Sequence, residues 1–69
     1  MDEKTFDRFL WAQNNICSPV FRELFGDMYR HMLDKWLRCG GNFLNFLTML
    51  DSNNKKKIFE WINRVYDLQ

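Results

Sequence analysis

Apolar positions recur along this chain at helical spacing, and nowhere do they alternate as in a half-buried strand. Over residues 2–16, Phe6, Phe9, Leu10 and Ile16 fall on one side at i, i+3, i+4 spacing, which predicts a first helix with that stripe buried. Asp2 and Glu3 fall in its first turn, where negative charge suits the helix dipole. Trp11 stands off the stripe, about 140° from Phe6 at about 100° per residue. It lies over its own helix, touches a neighbour's edge, or serves as an anchor for a partner.

Ser18–Pro19 marks the next start, an N-cap residue followed by a residue preorganised for the first helical position. A second helix over 19–39 follows, stopping at Gly40–Gly41, which readily take a left-handed C-cap. Its apolar pairs Val20/Phe21, Leu24/Phe25, Met28/Tyr29, Met32/Leu33 and Trp36/Leu37 repeat every four residues. A period of four drifts by about 40° per repeat against a helix of 3.6. The stripe therefore winds, and the second helix is expected to be a long central element with different neighbours at its two ends.

Asn42 caps a short third helix over 43–50, where only Asn45 and Thr48 are polar, so this helix is expected to be buried on most sides. Asp51–Ser52–Asn53–Asn54 reads as a turn leading into a fourth helix over 54–67, with Ile58, Trp61, Ile62 and Val65 inward and Phe59 and Tyr66 widening that face. Lys56–Glu60 and Glu60–Arg64 are i, i+4 pairs on its outer face. The pattern predicts one all-α domain over 1–69, a compact bundle of four helices.

Composition adds a constraint. Seven Phe, three Trp and two Tyr share a chain of 69 residues, and a domain this small hides only about 60% of the surface its unfolded chain exposes. Some aromatic surface is expected to remain outside the core, where it marks contact with another chain. Trp11, Tyr29, Met32 and Trp36, with Phe59 and Tyr66, are the candidate partner-binding residues. The net charge of +1 disfavours a strongly basic nucleic-acid binder or an acidic mimic of one.

Chemistry finds little purchase. The single histidine, His31, has no spacing that joins it to Cys17 or Cys39 as a nucleophile–base pair. Asp27, His31 and Asp34 share a helix face but make too weak a ligand set for zinc without Cys/His pairs at short spacing. Gly40–Gly41–Asn42 lacks the lysine and preceding strand of a phosphate loop. No enzyme activity, metal, cofactor or small-molecule substrate is expected. Two cysteines outside any CxxC pair, and the absence of an apolar leader after Met1, point to a cytoplasmic protein that does not enter membranes.

The expected function is a non-catalytic protein–protein interaction module, an adaptor or inhibitor acting as a homodimer through the second helix. The Phe-, Asn-, Lys- and Ile-rich texture suits a small bacterial or phage protein. The alternative is a small DNA-binding regulator using Lys55, Lys56, Lys57 and Arg64. The three lysines at a helix start would oppose its dipole unless a phosphate or an acidic partner meets them.

Overall fold

In the computed structural model, which describes residues 2–68, the chain is all-α. Its elements are α1 (Glu3–Asn15), α2 (Ser18–Phe25), a 3₁₀ turn (Gly26–Met28), α3 (Tyr29–Arg38), α4 (Phe43–Thr48) and α5 (Ser52–Val65). They pack into a body of 31 × 22 × 21 Å. α2 lies against α3 and α5, while α4 lies against α1 and α3.

The expected long central helix is two helices. Gly26 adopts φ +55° and ψ −123°, a conformation that costs an L side chain steric strain, and the chain turns there through a short 3₁₀ segment. The burial pattern runs through the break. Before it, the second member of each apolar pair is buried (Phe21, Phe25); after it, the first member goes inward, with Met32 buried and Trp36 half-buried. Phe21, Phe25, Met32 and Trp36 fall within about 60° of one another at about 100° per residue, so this switch is what a helix of 3.6 imposes on pairs spaced by four. The break shows instead at Met28, which a continuous helix would place beside that face and which is exposed.

The helix boundaries follow local hydrogen bonding. Asp2, Asn42 and Asp51 each cap a helix, accepting the backbone N–H of Thr5 (2.7 Å), Asn45 (3.0 Å) and Asn54 (2.9 Å). The last helix thus starts at Ser52, two residues before the expected Asn54. α2 starts at Ser18, with Cys17 rather than Ser18 in the cap position and no side-chain cap bond. α3 ends as expected at Gly40–Gly41, both with positive φ. The Gly41 N–H reaches the Trp36 carbonyl and the Gly40 N–H the Leu37 carbonyl, each at 3.1 Å, which is the Schellman pattern. Lys35 Nζ donates to the Met49 carbonyl at 3.2 Å, satisfying an acceptor at the end of α4.

The core is built on Phe21, Phe43, Phe46, Ile58 and Ile62, all fully buried. Phe46 meets Phe21 and Trp36 edge-on, with centroids 5.7 and 5.3 Å apart, the geometry favoured by the ring quadrupole. α4 supplies Phe43, Phe46 and Leu47 to this core, as its sequence predicted, but leaves Leu44 exposed.

α1 departs from expectation. Its only fully buried residue is Ala12, flanked by half-buried Phe9, Trp11 and Ile16, whereas Phe6 and Leu10 are 48% and 39% exposed. The helix is rotated by about 60° from the predicted stripe, keeping Phe9 and Ile16 inward and bringing in Thr5 and Ala12 in place of Phe6 and Leu10. The small Ala12 side chain lets α1 approach the core closely.

Candidate interaction surface

The rotation of α1 opens a cleft at the surface. Phe6, Phe9, Leu10 and Gln13 from α1 and Asn42, Phe43 and Leu44 from the start of α4 line a cleft of about 170 Å³. A cavity of about 150 Å³ holds benzene, so this one accommodates a single ring-sized or leucine-sized group. Phe43 forms its floor and is fully buried; Phe6, Leu10 and Leu44 stand exposed around its mouth. Phe9 connects the cleft to α5, its ring 5.4 Å from Phe43 and 6.1 Å from the partly exposed Phe59.

The geometry is fixed by one polar tie. Gln13 Oε1 accepts the backbone N–H of Phe43 at 2.9 Å, and Asn42 Oδ1 takes that of Asn45. Together they satisfy two of the orphan donors at the start of α4. α1 is also tied to α5, because the Arg8 guanidinium pairs with Asp67 at 3.2 Å and donates to Asn63 Oδ1.

The exposed parts of Phe6, Leu10, Leu44 and Phe59 amount to roughly 300 Å², given roughly 150–250 Å² per aromatic side chain. That is the size of the largest apolar patch on a typical monomer, a kind of patch that often serves contact. Charge borders it on two sides. Glu3 and Asp7 precede Phe6 and Leu10 by three residues on exposed α1 surface; Lys55 and Lys56 lie one turn before Phe59. None of these four forms an ion pair among the described residues.

Of the partner-binding residues singled out in the sequence, Phe59 belongs to this patch and the others lie elsewhere. Met32 is buried in the core, 3% exposed, and is not part of any surface. Trp11 is half-buried against Trp61 (5.1 Å) and Tyr66 (5.3 Å) of its own chain. Trp36 packs on Phe21 and Phe46. Tyr29 is half-buried under Arg22, whose guanidinium sits 4.9 Å above its ring, while Arg30 Nε donates to its hydroxyl at 3.1 Å. That hydrogen bond pulls the Tyr29 hydroxyl below the ordinary tyrosine pKa. The second helix region therefore spends most of its aromatic surface internally. The surplus is on Phe6 and Phe59, the two aromatics exposed by more than a third.

The basic group is also divided. Arg64 is held by Glu23 of α2 at 2.9 Å. Lys55 stands nine residues before it, about 180° around the helix, so the four cations do not form one face. Because α5 begins at Ser52, the lysines occupy its second turn, beyond the reach of most of the dipole penalty. Nothing about the dipole then calls for an anion at Lys55, Lys56 and Lys57.

His31 and Cys17 are exposed. The Cys39 thiol donates to the carbonyls of Trp36 (3.1 Å) and Asn42 (3.5 Å) inside the turn after α3. Asp34 is engaged with Arg38 at 2.9 Å. Among the described residues no three His, Cys, Asp or Glu side chains gather as a metal site, and no helix is long and apolar enough to cross a membrane. Compared with known proteins, the chain has no significant match to a family model, a curated protein or a solved structure.

Proposed function

We propose that this chain is a non-catalytic protein–protein interaction module, an adaptor or inhibitor, and that it binds by taking one apolar side chain of its partner into the cleft between α1 and α4. The observation that carries this reading is the cleft itself: a fixed floor at Phe43 surrounded by exposed Phe6, Leu10 and Leu44. A pocket of this size receives one anchor residue, and buried apolar anchors carry much of the energy of protein interfaces. Two free cysteines fit a reducing, cytoplasmic setting.

Selection from a displayed random peptide library tests the reading. Peptides sharing one large apolar residue should be enriched on the wild-type protein and lose binding to a Leu10→Glu/Leu44→Glu variant of unchanged helicity. Failure to enrich any peptide that depends on these two positions would sink it. The DNA-binding alternative has weaker support, because Arg64 is already neutralised by Glu23. Binding of a duplex that falls steeply with salt would favour it instead.

A further inference from the structure

Resting on the reading of the α1–α4 cleft as a contact surface, we infer that its occupant is a second copy of this chain, joined about a two-fold axis through α1 and the Phe59 face of α5. The argument is charge complementarity around one apolar centre. The patch carries an acidic rim, Glu3 and Asp7, and a basic rim, Lys55 and Lys56, and neither is neutralised within the chain. A surface that holds both halves of a charge pair beside one apolar centre, carboxylates on α1 and lysines on α5, has the composition to pair with itself. A two-fold operation lays the acidic rim of one copy on the basic rim of the other and makes every such contact twice. At the centre, Phe6, Leu10, Leu44 and Phe59 of each copy supply the surface to be covered.

The occupant's chemistry follows from the same rims. Whatever sits here must present an apolar side chain with cations on one flank and carboxylates on the other, and the patch itself has that composition. Area sets the strength. Roughly 300 Å² of apolar surface per copy, plus the two rims, approaches the roughly 600 Å² per partner at the low end of specific interfaces. The dimer is therefore reversible and weakened by salt.

Size exclusion with light scattering, over a hundredfold concentration range at low and high salt, gives the first reading: mass should rise from monomer to dimer with concentration. Two charge-reversed proteins then locate the interface, one Glu3→Lys/Asp7→Lys and the other Lys55→Glu/Lys56→Glu, all at positions that are exposed or half-buried. Each alone should dimerise at least about tenfold more weakly, from like charges facing each other. Their equimolar mixture should restore the dimer, because both rims are then matched. Adding Phe6→Glu to both should abolish the restored dimer, which excludes a general attraction between oppositely charged proteins. A wild-type monomer at every concentration, or a dimer indifferent to the reversals, overturns the proposal. Peptide selection through Leu10 and Leu44 is read separately, so a chain that binds peptides but stays monomeric retains the cleft and loses only the second copy.

Discussion

Gln13 on α1 and Phe43 at the start of α4, thirty positions apart, are joined by a hydrogen bond of 2.9 Å from the Phe43 backbone N–H to the Gln13 side-chain oxygen. That bond does two things at once. It satisfies a donor that the first turn of α4 cannot pair internally, and it holds the two walls of the cleft together. Gln13→Ala should cost about 1–3 kcal/mol, the penalty for stranding a partly buried donor. Gln13→Glu keeps the acceptor and should retain most of that stability. Thermal melts followed by circular dichroism separate the two outcomes, and equal losses would show that the bond contributes little.

Gly26 gives a cleaner backbone test. A Cβ placed there meets no atom within 4 Å, so any cost of Gly26→Ala comes from φ +55° alone. The expected loss is about 1–3 kcal/mol in urea unfolding. A neutral substitution would mean that α2 and α3 can join as one continuous helix after all.

Met32 distinguishes a core residue from a surface anchor. Its side chain is buried, so Met32→Ala should cost about 2–5 kcal/mol. The whole domain is expected to hold only about 3–10 kcal/mol, from roughly 0.05–0.15 kcal/mol per residue, so this variant should melt far below the wild type. Leu10→Ala, 39% exposed at the cleft mouth, should cost only about 1 kcal/mol and act mainly on binding.

Acid should loosen the first turn of α1. The Asp2 carboxyl is held below its ordinary pKa by hydrogen bonds from Thr5, through its side chain first and its backbone N–H second. A depressed folded pKa means that this cap's contribution is fully present above the ordinary aspartate range. It is lost as pH falls through the lowered value. An NMR titration should show the Asp2 carboxyl protonating below a free aspartate, with the Thr5 amide moving in step. Asp2→Asn should remove that coupled shift while keeping a cap.

The sequence announced the helices and several of their ends through short-range signals: the caps at Asn42 and Gly40–Gly41 and the nearly all-apolar stretch of α4. It concealed the break at Gly26, because the apolar pairs run through that glycine without a gap. The exposure of Met28, at a position that a continuous helix would turn inward, is the mark the break leaves on the pattern. The face of α1 was misjudged for a related reason. Ala12 adds almost nothing to an apolar stripe, yet its small size lets the helix seat on that side and turns Phe6 and Leu10 outward. The cleft was therefore not legible in advance, since its apolar walls are residues whose pattern assigned them to the core. Trp11 and Trp36 looked surplus because their neighbours Trp61, Tyr66 and Phe46 lie far away along the chain.

The turn after α3 contains a built-in chemical clock. The Cys39 sulfur is half-buried, with its hydrogen bonded to the carbonyls of Trp36 and Asn42, while Cys17 stands in solvent. A thiol reagent will meet Cys17 directly, but reaches Cys39 more readily when the corner between α3 and α4 opens. A change in the ratio of the two labelling rates, measured on one unaltered protein, then tracks the opening of that corner. It reports whether the floor of the cleft comes loose without the whole domain unfolding.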